Sequence, residues 1–202
     1  MPEKGFCQLA GLIVTIAVAA IASTASVHAD DSVPAPVTHI RTTSPELRSL
    51  VDDSMERSST FRALVERIDA SNVIVYLAHT SFKPAGPDGR LVFMGTGGGR
   101  RYVLIQIACL HTRVDEFAIL GHEIQHAAEV AAAPSIVDSA SLARHYQTIG
   151  FIARQWQHGV AFETRAATDS GAQVQREVLD AFHAEEAAAR PAAHAPAAAT
   201  RN

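Results

Sequence analysis

The chain has 202 residues and a formal net charge of −4 at pH 7, and 48% of its residues are hydrophobic. That length suits one domain with appendages, and the apolar share is enough to build a sizeable core. No basic excess draws the chain onto phosphate backbones, so nucleic acid is disfavoured as a partner.

Residues 1–29 read as an export signal. Lys4 precedes an apolar run from Leu9 to Ala22, and Val27-His28-Ala29 offers a small-x-small cleavage site before Asp30. The run is short for a membrane span, so no stable span is expected after cleavage; an uncleaved anchor is the alternative. Either route places the remainder outside the cytoplasm, in a periplasm or the medium. Cys7 departs with the signal and leaves Cys109 alone, which rules out an intramolecular disulfide in the mature chain. A lone thiol at a strand end reads as a small core residue.

Residues 30–43, rich in Asp, Ser, Pro and Thr, read as a flexible leader. Ser44-Pro45-Glu46 then supplies a capping oxygen followed by proline at the first helical position. Leu47, Leu50, Val51, Met55, Phe61, Leu64, Val65 and Ile68 keep helical spacing, with a break into two helices at Arg57-Ser58-Ser59-Thr60. Residues 72–78 form a β-branched, aromatic run that predicts a buried strand. Over 81–100, prolines and glycines predict loops around a short strand at Leu91–Met94. Gly97-Gly98-Gly99 lacks the following Lys-Ser/Thr and helix of a phosphate loop and reads as a tight turn or a mobile loop.

The clearest strand is Tyr102–Cys109. Thr112-x-x-Asp115 is a capping box for a helix reaching about Ala133, where Pro134 closes it. Ser135-x-x-Asp138 caps a further helix ending near Gly150, a last helix spans about 160–182, and residues 184–202 read as a disordered Ala/Pro-rich tail. The order predicts an α+β domain over 44–183: a small sheet of two to three strands packed against the 112–133 helix and further helices.

The 112–133 helix carries His122-Glu123-Ile124-Gln125-His126, an H-E-x-x-H pattern. Residues four apart share a helix face, so the two imidazoles can meet one zinc ion. The intervening glutamate, rotated about 100° away, misses the metal but can reach a water bound to it and take its proton. Phe117, Leu120, Gly121, Ile124, Ala127, Ala128 and Ala131 share one face of the helical wheel. His122, His126, Asp115 and Glu129 share the other, where Ile119 is the one sizeable apolar residue. The helix is therefore expected to bury one side and present its histidines on the opposite one. The bland alternative is a solvated face that bears two histidines without purpose.

This strand followed by Leu120–His126 resembles the zincin metallopeptidases over roughly residues 72–182, with the five-residue motif as its sharp part. The resemblance implies a zincin-like fold, zinc as cofactor, a peptide or protein as substrate, and Glu123 as the catalytic base. It also implies that the strand beside the active-site helix, here 102–108, pairs with extended substrate. The metzincin continuation is absent, since Glu129 and Ala132 stand where that subclass has Gly and His. Gluzincins supply a glutamate ligand from a later helix, and Phe162-Glu163-Thr164-Arg165-Ala166-Ala167 resembles that segment, which makes Glu163 the expected third ligand. The departure is Ala167, where that group has an aspartate orienting a ligand histidine; Asp169 or Glu129 stands in as candidate. His145, nineteen residues after His126, is the alternative ligand, and His158 follows it. Tyr146, His145 and His158 are also candidate donors to an oxyanion. Each of these has an ordinary reading as a surface or half-buried polar residue.

The rival reading is a non-catalytic exported domain of zincin-like shape that binds a peptide or another envelope component. A helical envelope-stabilising protein is the third class, and it leaves the coincidence at 122–126 unexplained. The sequence leaves the oligomeric state open.

Overall fold

Alternation along one strand organises the protein. In the computed structural model, which describes residues 38–81, 86–109, 111–156 and 159–190, Arg101, Val103, Ile105 and Ile107 point inward while Tyr102, Leu104, Gln106 and Ala108 are only partly covered. That period of two, over the β-branched residues that favour a pleated surface, makes β4 (Arg100–Ala108). It lies inside a four-stranded sheet of order β1-β2-β4-β3, with β1 (Ile40–Arg41), β2 (Val73–Thr80) and β3 (Gly89–Gly97). β1 and β4 both run parallel to β2, and β3 runs antiparallel to β4. The hairpin between β3 and β4 turns on Gly98 and Gly99, at φ of 57° and 74°. Two consecutive positive φ values suit a two-residue hairpin turn and fall to glycine because a Cβ resists them.

Five helices flank the sheet among the described residues: α1 (Pro45–Arg57), α2 (Ser59–Asp69), α3 (Arg113–Ala132), α4 (Ser139–Ile149) and α5 (Arg165–Ala189). Ser58 ends α1 and starts α2: its N–H donates to the Ser54 carbonyl oxygen, and its Oγ accepts the Phe61 N–H at 3.0 Å. The break expected at 57–60 is this shared cap. The capping box at Thr112 and Asp115 is present, and α3 ends two residues before Pro134. One core joins Leu47 and Leu50 of α1, Phe61, Leu64 and Ile68 of α2, the inner faces of β2 and β4, and Phe117, Leu120 and Ile124 of α3. No helix among the described residues is long and apolar enough to cross a membrane.

The protein is thus α+β with a small mixed sheet, and it departs from the sequence reading in several places. The sheet has four strands, because residues at the end of the expected leader join it: Ile40 is buried and registers with Val75. Residues 160–182 are not one helix. Phe151–Trp156 and Gly159–Glu163 form an antiparallel hairpin, β5 and β6, and α5 starts only after Thr164, whose Oγ accepts the Ala167 N–H at 3.1 Å. Alternating Val160 and Phe162 fit a strand as well as a helix, and pairing with β5 selects the strand. The cap of α4 is Asp138 with Ser141, three residues beyond the expected box, because Ser141 satisfies Asp138 reciprocally. α5 continues to Ala189 through Ala and Glu, both strong helix formers, into the segment expected to be disordered. Cys109 is exposed in a turn after β4 rather than in the core. The export signal, residues 30–37 of the leader, and residues 191–202 of the tail lie outside the described residues.

Candidate metal centre

The i, i+4 spacing on α3 sets the ring centroids of His122 and His126 4.9 Å apart. Facing them is Glu163, the last residue of β6, paired with Phe151 across the hairpin. Its two carboxylate oxygens divide between the imidazoles: Oε2 lies 3.0 Å from His122 Nε2, and Oε1 lies 3.0 Å from His126 Nε2. The Thr164 N–H also donates to Glu163 Oε1, at 2.9 Å. One ligand atom from each of the three residues lies within 4.8 Å of the others. Four-coordinate zinc, with bonds of about 2.0–2.2 Å, spaces its ligand atoms about 3.3–3.5 Å apart, so a small parting of these groups accommodates an ion.

His126 is tethered from behind. Its Nδ1 lies 2.8 Å from Glu129 Oε2, which leaves Nε2 to face the cluster. Glu129 Oε1 accepts from Thr164 Oγ1 at 2.7 Å and from Gln125 Nε2 at 3.2 Å, and Ser170 Oγ donates to Gln125 Oε1 at 3.3 Å. The ring of Tyr146 meets that of His126 edge-on at 5.2 Å, and its hydroxyl donates to the His126 carbonyl oxygen at 3.3 Å. Burial disfavours the protonated form of His126, yet the hydrogen bonds to Glu129 and Glu163 outweigh it and raise the pKa to about 10. Burial raises Glu163 and Glu129, but their histidine partners prevail and hold both below the usual carboxylate range.

Glu123 is 4% exposed. Burial pushes its carboxyl up to about 7; His126 and His122 oppose the rise, and Glu163 adds to it. Its Oε2 has no hydrogen-bond partner among the described residues. A buried carboxylate oxygen left in this way is costly, and an ion or a water beside the three ligand atoms would satisfy it. On its other side Gly89 of β3 is so close that a Cβ there would lie 2.6 Å from Glu123 Oε1.

No family model, curated protein or solved structure matches the chain. The chemistry assigned to the site therefore rests on its own geometry.

Of the residues singled out in the sequence, the structure brings together His122, Glu123, His126, Glu129, Glu163 and Tyr146. Tyr146 stands behind His126, with its hydroxyl engaged there, and is not placed as an oxyanion donor. His145 is half-buried on α4, its ring 5.8 Å from that of Tyr146, and is not in the cluster. Asp169 is exposed on α5, and the role expected of it or of Glu129, fixing a ligand histidine, falls geometrically to Glu129. His158 lies outside the described residues. The expectation of an open histidine face on α3 holds only in part, since His126 and Glu129 are buried while His122 is half-buried and Asp115 exposed. The unforeseen β6, together with the start of the final helix, covers that side. Strand 102–108 has β2 on one side and β3 on the other, so it offers no free edge; the edge beside Glu123 is β3. Thr164, Gln125, Gly89 and Gly171 went unnoticed in the sequence. A Thr preceding a helix is a capping signal that could have marked Thr164; the two glycines carry no local signal.

Proposed function

We propose that the protein is an exported zinc-dependent hydrolase of zincin type that cleaves peptide bonds. The observation that carries this reading is the Glu163 carboxylate shared between the two Nε2 atoms, beside a buried carboxylate with an unpartnered oxygen. His122, His126 and Glu163 would hold the ion, the three protein ligands that a catalytic zinc needs. A zinc ion bound there supplies Lewis acidity, polarising a carbonyl and drawing the pKa of a coordinated water toward about 7. Glu123 takes a proton from the attacking water, the water oxygen bonds to the scissile carbonyl carbon, and the carbon–nitrogen bond breaks as Glu123 delivers that proton to the leaving amine. Glu129 keeps His126 in the tautomer that presents Nε2. An extended substrate adds to β3, the last strand of the sheet among the described residues, whose Gly89 lies beside Glu123. Peptide as the substrate class comes from the resemblance of the motif and its helix to zincins. A non-catalytic peptide-binding domain, the rival reading, has no use for a buried base at position 123.

Elemental analysis of the purified protein tests this. The wild type should carry about one zinc per chain, His145→Ala should keep it, and Glu163→Ala and His126→Ala should lose it. Glu123→Gln should retain zinc and lose peptide hydrolysis. A wild type that takes up no zinc when the metal is supplied would end the enzyme reading.

A further inference from the structure

We propose that Thr164 is a positioning residue for the metal centre: fixed as the N-cap of α5, its buried hydroxyl holds the Glu129 carboxylate against His126 Nδ1. The inference rests on reading His122, His126 and Glu163 as metal ligands.

Donor and acceptor chemistry fixes the direction of every bond. The hydroxyl has one proton and two lone pairs. It is 3.1 Å from the Ala167 N–H, which can only donate, and 2.7 Å from Glu129 Oε1, which as a carboxylate can only accept. The one hydroxyl proton therefore goes to Glu129. With Oε1 held, Oε2 is left facing His126 Nδ1 at 2.8 Å, and the imidazole presents Nε2 to the cluster. The same residue engages the third ligand through its backbone, where the Thr164 N–H reaches Glu163 Oε1 at 2.9 Å. Thr164 thus sets the partner of one ligand and the carboxylate of another from a single point. Its side chain is buried and its residue is 3% exposed, so water does not compete for these bonds.

A cap alone does not explain the arrangement. Capping needs an oxygen that accepts, and Asp or Asn does this as well as Thr. Capping and donating to Glu129 from one and the same atom needs a hydroxyl, which only Thr or Ser supplies; Asp cannot donate, and Asn would have to use its separate amide nitrogen. The pattern also accounts for Ala167, which stands where the resembled segment carries an orienting aspartate. Here the orienting carboxylate sits on α3 itself, three residues after His126, and α5 contributes the hydroxyl that aims it.

Zinc affinity of the full chain, measured by competition with a chromophoric chelator, tests the proposal alongside circular dichroism of each variant. Thr164→Val should weaken zinc binding about 10–100-fold, the usual cost of losing an outer partner of a ligand. Thr164→Ser should stay within about threefold of wild type, since it keeps the hydroxyl. Glu129→Ala should weaken binding as well, and the double variant should be no weaker than Glu129→Ala alone. Wild-type affinity in Thr164→Val overturns the proposal, as do effects of the two substitutions that multiply. Should Thr164→Val fail to fold, Glu129→Ala carries the test, because it leaves the α5 cap whole; wild-type affinity there is equally fatal. A wild type that binds no zinc removes the metal reading and this inference together, whereas a zinc-binding wild type with an indifferent Thr164→Val removes this inference alone.

Discussion

Gly171 on α5 passes His122 on α3 so closely that a Cβ at 171 would lie 3.0 Å from the His122 Cβ and 2.6 Å from the Ala118 carbonyl oxygen. The approach is mutual, for a Cβ at Gly121 would lie 2.8 Å from the Val174 Cβ and 3.3 Å from the Gly171 Cα. Two glycines let the helices touch backbone to backbone, and that contact sets how deeply α5 seats behind the histidines. Two effects compete in Gly171→Ala. Helix propensity favours alanine by about 0.8–1 kcal/mol. Overpacking costs about 1–3 kcal/mol, and here the obstacle is backbone, which cannot rotate away. The variant should lose about 1–2 kcal/mol net in urea unfolding and bind zinc more weakly; a gain in stability would show that the helices part freely.

Gly89→Ala separates the proposed base, Glu123, from the proposed metal ligands. Its Cβ would fall 2.6 Å from Glu123 Oε1 and 2.8 Å from Ile119 Cγ2, so the closest approaches are to the proposed base and its helix neighbour. The expected outcome is at least a tenfold fall in turnover, about 1.4 kcal/mol or more of lost transition-state stabilisation, with zinc content unchanged. Parallel kinetics and metal analysis decide it, and unaltered turnover would mean that Glu123 is not confined by β3.

Glu177 gives the fold an acid sensitivity remote from the metal centre. Burial raises its carboxyl, but Ser58, Gln173 and Thr60 outweigh burial and bring its pKa down to about 2. Ser58 Oγ at 2.7 Å, the Thr60 N–H at 3.0 Å and Thr60 Oγ1 at 2.8 Å bind it to the start of α2, where the helix dipole also favours an anion. A folded-state value below the unfolded one means the stabilisation is complete above about pH 4.5 and disappears as pH falls toward 2. Allowing for solvent screening it is worth about 1–2 kcal/mol. Glu177→Gln should therefore be less stable than wild type at pH 6, and the two should converge near pH 2. Unfolding curves that stay parallel across that range would refute the assignment.

Arg101 secures the far end of the histidine helix. It is 4% exposed, and its guanidinium donates to the carbonyl oxygens of Val130 at 2.8 Å and Ala133 at 2.7 Å, with Nε on Asn72 Oδ1 at 2.8 Å. Burial lowers its pKa, and the carbonyls at the C-terminus of α3 take the place of a carboxylate partner. Arg101→Ala should cost about 3 kcal/mol or more by leaving those acceptors unsatisfied. Arg101→Lys should recover less than about half of that, since one ammonium cannot span the same set of oxygens. Denaturant unfolding of the pair gives the answer, and full rescue by lysine would reduce the role of Arg101 to its charge.

The parts legible in the sequence were those governed by neighbours along the chain. The break between two helices at 57–60, the capping box at Thr112 and Asp115, the glycine turn at 98–99 and the strand at β4 all depend on residues within a few positions of one another. So does the pairing of His122 with His126, a consequence of helical pitch. The misread stretch, 151–163, is the instructive one. Its apolar residues fit either period, and only pairing of Phe151 with Glu163 across the hairpin makes it a strand.

That pairing is also what the sequence could not supply for the site. Motif and helix determined which two imidazoles share a face and which carboxylate lies between them. The tertiary structure decided that Glu163 reaches both, that Glu129 rather than Asp169 backs His126, and that the strand beside Glu123 is β3. These relationships join residues as far apart in sequence as His122 and Glu163, and depend on the packing of α5 and the β5–β6 hairpin against α3. Local sequence encodes pitch and caps; the depth to which one element seats on another is set by the volumes and hydrogen bonds at their contact, here by Gly121, Gly171 and Thr164.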